Sequence, residues 1–325
     1  MFIHKCLKNS IAKNTFYSLT ILILCTYSLH GCNKMIRQQI ETETAKMVTS
    51  LDMSSGYYLD LYTNDSKDKE RNGKIELDSW DDEMFFEVEN QGKARKLSIQ
   101  MYVDYKQAPI IIEENKYDIF VIDASEEYSN VFSFRLEESL DTNMNHSLLT
   151  ILTAGSDIYT SQTEFELTDS YSIALNHILS FGKDNTLVNS LYDYEEAEIA
   201  TEYNSTGLLL NTDITKRSRK LPERELAVKA NDSFDLQYQV GGYEDCSNIA
   251  IIITVGFNQA KINNQDYLLC ETKNGELLTG IANLKAPENP GLYEIMGWAI
   301  TNPFNDDKSH YLPLESSFRF TLKVE

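Results

Sequence analysis

From residue 56 onward, apolar and polar positions alternate with the period of two that a half-buried β-strand requires. "GYYLDLYT" at 56–63, "MFFEVEN" at 84–90 and "KLSIQMYVDY" at 96–105 all show it, and all are rich in Tyr, Phe, Ile and Val. "NKYDIFVID" and "HSLLTILTAG" continue the pattern. Upstream the period changes. In "MIRQQIETETAKMVTSLD", residues 35–52, Ile36, Ile40, Met47, Val48 and Leu51 fall near helical spacing, which predicts a short helical tether. Residues 15–29 are mostly apolar, with Phe16, Leu19 and the run Ile21, Leu22, Ile23, Leu24. Ser and Thr interrupt this run, and it is too short to span a bilayer comfortably as a mature helix.

The strand pattern occurs twice. Leu77 falls on Leu226, and Phe86 on Phe234 or Leu236. The turn Asn90-Gln91-Gly92 falls on Val240-Gly241-Gly242, and "LSIQMYV" on "IAIIITV". Further on, "FSFRLEESLDTNMNHSLLTILTAG" matches "LTGIANLKAPENPGLYEIMGWAIT", and "FELTDSYSIAL" matches "LPLESSFRFTL". The offset stays near 145–150 residues, as expected for two copies of one all-β unit. Each copy holds about seven strands at roughly 8–12-residue spacing with polar turns between, the pattern of a two-sheet sandwich. "PENPGLYEIMGWAIT" resembles the turn and late strand of bacterial immunoglobulin-like domains. The fold class predicted is therefore all-β: two tandem immunoglobulin-like β-sandwich domains after a short N-terminal helical tether. The expected division is a signal peptide over 1–31, a tether over 32–54, sandwiches over 55–183 and 207–325, and an acidic, tyrosine-rich linker over 184–206. A single closed barrel is the second choice. Trp298 follows both downstream cysteines, so the Cys–Trp–Cys pin of antibody domains is absent.

The N-terminus carries Lys5, Lys8 and Lys13, then the apolar run, then Leu29-His30-Gly31-Cys32. A basic segment followed by an apolar one of this length has the form of a secretory signal. The last four residues resemble the lipobox of bacterial lipoproteins, although His30 stands where a small residue is usual. The resemblance implies that Cys32 is diacylated and becomes the first mature residue. The protein would then sit on the extracytoplasmic face of the cell membrane, held by its N-terminal lipid. The alternative is an ordinary signal peptide with an incidental Cys32.

Three of the 29 basic residues precede Cys32, leaving 26 against 50 acidic ones and a formal charge of −24. Such a surface repels nucleic acid and anionic membrane. Beyond Cys32 the remaining cysteines are Cys246 and Cys270. With no Cys or His nearby to complete four ligands they have no zinc pattern. A disulfide between them and two buried thiols both remain open.

No catalytic signature emerges. "DTNMNH" at 141–146 has His146 and Thr153 where an EF-hand needs Gly and a bidentate Glu, so it reads as a turn. His146, His177 and His310 lie in three separate contexts, and Ser66–Lys69 fits SxxK only inside a charged loop. GxSxG, P-loop and GxGxxG patterns are absent, so neither an activity nor a cofactor is predicted. The feature that stands out against the acidic background is a pair of basic loops. Lys67, Lys69, Arg71 and Lys74 cluster in the first copy, and Lys216, Arg217, Arg219, Lys220 and Arg224 at the matching place in the second. They read as edge charges that block sheet aggregation, or as a contact for an envelope polymer or surface protein of opposite charge. The function expected is a lipid-anchored, non-catalytic interaction module. An accessory or substrate-binding lipoprotein, and a hydrolase with dispersed site residues, are the alternatives.

Overall fold

The computed structural model describes residues 56–63, 73–161, 172–182, 185–190, 192–200, 206–214, 224–273, 275–305 and 314–325. The predicted signal peptide and tether lie outside them. All described secondary structure is β. The first half holds β1 (Gly56–Tyr62), β2 (Lys74–Glu76), β3 (Met84–Gln91), β4 (Arg95–Val103), β5 (Lys106–Gln107), β6 (Ile110–Ile112), β7 (Asn115–Tyr117), β8 (Phe120–Ala124), β9 (Tyr128–Leu136), β10 (His146–Ala154) and β11 (Ser172–Ser180). The second holds β12 (Glu198–Ile199), β13 (Gly207–Asn211), β14 (Glu225–Val228), β15 (Ser233–Gly241), β16 (Asn248–Val255), β17 (Asn258–Gln259), β18 (Leu268–Glu271), β19 (Leu277–Lys285), β20 (Gly291–Thr301), β21 (Leu314–Ser316) and β22 (Phe320–Val324).

These strands form four sheets in two equivalent pairs. The order β1-β3-β9 corresponds to β13-β15-β19, and β2-β11-β10-β4-β5 to β14-β22-β20-β16-β17; β6 and β7 extend the first outer sheet beyond β9, and β12 extends the second beyond β19. Strand β8 pairs with β4 as β18 does with β16. Short β2 and β14 each lie parallel to the last strand of their half. Their register differs from the sequence alignment. Ile75 sits opposite Leu179 and Leu226 opposite Leu322, so Ile75 rather than Leu77 is the counterpart of Leu226.

Burial follows the layer in which each strand lies. In outer strand β3, Met84, Phe86, Val88 and Asn90 are buried while Phe85, Glu87 and Glu89 are half-exposed. That is the alternation expected of a sheet with one wet face. Inner strands are buried on both faces. All nine residues of β10 are buried, as are Ile249–Val255 of β16. A continuous apolar run such as "IAIIITV" suits only that position.

Three apolar layers result. Phe86 and Val88 meet Leu97, Ile99, Met101 and Leu152 in the first core. Leu210, Leu236 and Val240 meet Ile251, Ile253, Ile295 and Leu322 in the second. The third lies between the two inner sheets, where Tyr102, Tyr105, Leu149 and Ile151 pack with Ala250, Ile252, Phe257, Met296, Trp298 and Ile300. This third layer, the seam, makes one body of both halves.

The seam therefore contributes to stability directly. Trp298 is 2 % exposed and belongs to neither sandwich core. Trp298→Ala should cost about 3–5 kcal/mol, the usual penalty for emptying a buried tryptophan site. Equilibrium urea unfolding measures this, and a loss below about 1 kcal/mol would show that the seam contributes little.

Candidate functional site

Among the described residues, a cluster of buried polar groups lies at the seam. Two hairpins of matching sequence meet there. In each, the two turn residues after the long inner strand have positive φ: Asp104 and Tyr105 (48° and 65°), Gly256 and Phe257 (59° and 66°). Such a pair makes the tight hairpin turn whose twist matches its strands. The turn leads into β5 and β17, where Gln107 and Gln259 face each other. The Gln107 backbone N–H donates to Gln259 Oε1, and the Gln259 N–H to Gln107 Oε1, each at 2.6 Å. Their Nε2 groups donate to the carbonyls of Asp118 and Asp266, again equivalent positions. Each glutamine thus caps a backbone donor on the open edge of the opposite sheet, and the arrangement is pseudo-two-fold.

The two sides of this axis differ in chemistry. Around the first hairpin, Tyr105 enters the second half. Its hydroxyl donates to the Pro303 carbonyl, and its ring packs edge-on against Tyr267 and Phe304 at 5.8 and 5.6 Å. Burial pushes its phenol well above the ordinary tyrosine range. Behind it, Asp104 Oδ2 lies 2.6 Å from His146 Nδ1, and Asp104 Oδ1 accepts the Ser147 N–H at 3.0 Å. Ser147 Oγ bridges the Tyr105 hydroxyl and Asn176, at 3.0 and 2.9 Å. It is not directed at His146, so the adjacent Ser, His and Asp do not form a nucleophile–base relay.

On the other side, Glu294 and Arg319 occupy the places of Ser147 and Asn176. Arg319 Nε donates to Glu294 Oε2 at 3.2 Å, and both side chains are essentially inaccessible to solvent. The guanidinium also donates to the carbonyls of Ala154, Gly155 and Ile158 in the first half and lies 5.3 Å from the centre of the Phe257 ring. Glu294 is completed by the hydroxyls of Thr160 and Thr321 and by the Thr160 N–H. A buried pair satisfied on all sides holds its geometry, whereas a half-pair would not.

The segment joining the halves is strapped over this joint. Tyr192 donates to Asp266 Oδ2 at 2.7 Å and packs on Tyr267, with Lys106 Nζ 5.8 Å from its ring centre. Lys106 also approaches Asp266 at 3.6 Å. The strap then adds β12 to the edge of β19. Asp193, Tyr194, Glu196, Glu198 and Ile199 face solvent.

The residues singled out by sequence lie elsewhere. Cys32, Lys67, Lys69, Arg71, Lys216, Arg217, Arg219, Lys220, Ser66 and His310 fall outside the described residues. Lys74 opens β2 and Arg224 immediately precedes β14, one position apart in the repeat register; both are exposed. Of the two alternatives for Cys246 and Cys270, the structure has buried free thiols and no disulfide. Burial raises both, Cys270 to about 11, and Cys270 Sγ lies 3.7 Å from the Tyr238 hydroxyl. Asp141 accepts the backbone and side-chain N–H of Asn143, which hold its carboxyl below the usual range and spend it on the turn. Among the described residues, no group of three or more His, Cys, Asp or Glu is placed to hold a metal.

No protein-family model matches this chain, and no curated protein matches it in sequence. Among solved structures it is similar to the C-terminal domain of the antigen I/II-family protein AspA of Streptococcus pyogenes. Identity there is 6 % over 83 % of this chain and 99 % of that one, with a TM-score of 0.22. It is also similar to the C-terminal domain of the AgI/II polypeptide BspA of Streptococcus agalactiae, at 5 % identity over 82 % and 100 % of the chains, with a TM-score of 0.23. A membrane-anchored protein from Corynebacterium diphtheriae is 10 % identical over 83 % of this chain and 58 % of its own, with a TM-score of 0.22. Scores of this size do not establish a shared fold, so nothing about this chain is inferred from these proteins.

Two outcomes follow from the geometry. Arg319→Met or Glu294→Met alone should cost about 3–5 kcal/mol, because each strands a buried charge, while the double change should recover much of the loss. Additive losses in a double-mutant cycle would contradict the pairing. Cys246 and Cys270 should resist thiol reagents in the native protein and react fully in denaturant under non-reducing conditions. Two unreactive cysteines in denaturant would mean a bond between them.

Proposed function

We propose that this chain is a lipid-anchored protein of the extracytoplasmic face, whose two sandwiches act together as one non-catalytic interaction module. The observation that supports it most is where the buried ionisable groups are spent. Asp104, His146, Glu294 and Arg319 bond to one another, to neighbouring strands and across the seam, and so hold a scaffold. A hydrolase would instead need such groups to converge on a cleft open to substrate. Each sandwich is read as an immunoglobulin-like unit, and loops at its ends are natural contact points on a fixed frame. The anchor is supported by Leu29-His30-Gly31-Cys32 after a basic and apolar leader.

Within this reading the basic loops contact an anionic envelope polymer or acidic surface partner. In support, β2, which Lys74 opens, and β14, which Arg224 precedes, occupy equivalent places in the two halves. At physiological salt the Debye length is about 8 Å, so such clusters act locally despite the acidic background. Each exposed contact contributes only about 0–1 kcal/mol, so several must act together.

Cys32→Ser should leave the membrane fraction or accumulate as an uncleaved precursor; fractionation and migration identical to the parent would refute the anchor. Replacing Lys216, Arg217, Arg219, Lys220 and Arg224 by Gln should abolish salt-sensitive retention on an anionic wall-polymer matrix. Equal retention of both proteins at low and high salt would remove the anionic contact.

A further inference from the structure

His146 is 6 % exposed, and both of its ring nitrogens face oxygen. Nδ1 lies 2.6 Å from the Asp104 carboxylate, and Nε2 lies 3.1 Å from the Asp141 carbonyl. A carboxylate and a carbonyl only accept hydrogen bonds. A neutral imidazole has one N–H and one lone pair, so it can satisfy one of these partners while its lone pair opposes the other. The imidazolium satisfies both.

The groups around the ring agree on the charge. Asp104 faces it from the β4–β5 turn, and the Asp141 carboxylate contributes from the loop before β10. On a third side the Phe181 ring stands edge-on at 6.1 Å. Burial by itself disfavours the charged ring, but the Asp104 bond and charge and the Asp141 carbonyl outweigh it, so the pKa is raised above 6.5.

The bond partner is a turn residue of the seam. Asp104 adjoins Tyr105 in the left-handed hairpin turn, and Tyr105 carries the contacts to Pro303, Tyr267 and Phe304. The Tyr105 carbonyl also accepts Gln259 Nε2 at 2.8 Å. On the opposite side of the pseudo-axis this tether is replaced. Gly256 takes the place of Asp104 and Tyr293 that of His146, and a Cβ on Gly256 would come within 2.8 Å of the Tyr293 ring. That turn is held by ring packing, by the Gln100 Nε2–H donated to the Phe257 carbonyl at 2.6 Å and by the Arg319 guanidinium beside the Phe257 ring, with an imidazole at none of these contacts.

We propose that His146 is a proton-binding switch for the seam: its imidazolium holds the Asp104–Tyr105 turn against the second sandwich, and loss of that proton loosens the joint. The direction follows from linkage. His146, Asp104 and Asp141 all lie in the first half, so the opening that couples to the proton lifts the Asp104–Tyr105 turn off His146 as well as off the second half. His146 then loses its carboxylate partner, and a proton held more tightly in the closed state stabilises closure at mildly acidic pH. That contribution is lost as pH rises from about 6.5 through the raised value of the closed state. For one coupled proton, the opening constant rises about tenfold per pH unit inside that window.

The test uses the full chain. Hydrogen exchange of amides in 104–108 and 256–260, corrected for intrinsic pH dependence, is followed from about pH 6 to about pH 9. Opening of the seam should rise about tenfold per pH unit across the window in the wild type and stay flat in His146→Gln. The chain has two tryptophans, so Trp80→Phe leaves Trp298 of the seam as the sole tryptophan, and its selectively excited emission should follow the same midpoint. Flat corrected exchange in the wild type, or a rise that persists in His146→Gln, overturns the proposal. If His146→Gln does not fold, the NMR titration of the His146 ring in the wild type decides. A midpoint shared with seam opening supports the switch, and separate midpoints refute it.

Discussion

Strands that are apolar on both faces need a layer on each side, and the rest of this structure follows from that constraint. Strands β4, β10, β16 and β20 are each buried along most of their length. One outer sheet covers one face of each inner sheet. The other face can be covered only by the inner sheet of the opposite half. Joining them replaces two wet apolar surfaces by one dry seam, at roughly 25 cal/mol for every Å² removed from water.

Apolar burial has no direction, so the seam alone would not set how the halves meet. The polar contacts do that. Gln107 and Gln259 fix the sheet edges against each other, and their reciprocity requires the two hairpins to meet about a local two-fold axis. Tyr105 locks one side through Pro303, and Arg319 the other through three carbonyls of the first half. The Tyr192 strap closes over the same joint. These groups lie in or beside an apolar layer, where a misaligned polar contact is costly to leave unmade. They therefore act as registration marks for the seam.

The pseudo-symmetry carries a deliberate difference. One turn has Asp104 tethered to a titratable His146, while its counterpart has Gly256 beneath Tyr293. Likewise, Ser147 and Asn176 on one side are replaced by a buried ion pair, Glu294 and Arg319, on the other. Two copies of one fold thus reach the same joint by different chemistry, and the proposed proton switch belongs to the first of them.

The strands themselves were legible, because period-two alternation is a local property of residues that face a core and then solvent. The repeat was legible for the same reason. The continuous run "IAIIITV" was matched to "LSIQMYV" only as a repeat, and its burial on both faces emerged from the structure. A further signal went unused: Val103, Gln107, Ala108 and Ile110 recur as Val255, Gln259, Ala260 and Ile262, the two hairpins that meet at the axis. What they meet was not legible. His146 and Asp104 are 42 positions apart, and Arg319 contacts carbonyls more than 160 positions away. Nothing in local spacing encodes such partners, because they are selected by how whole sheets stack. By itself, then, the sequence determined the strands, their wet and dry faces and the duplication. Tertiary structure alone decided that the two inner faces close on each other and that scattered polar residues become the pins of that joint. A side chain's burial can be read from its neighbours in sequence, but its bonding partner depends on what the fold brings across the gap.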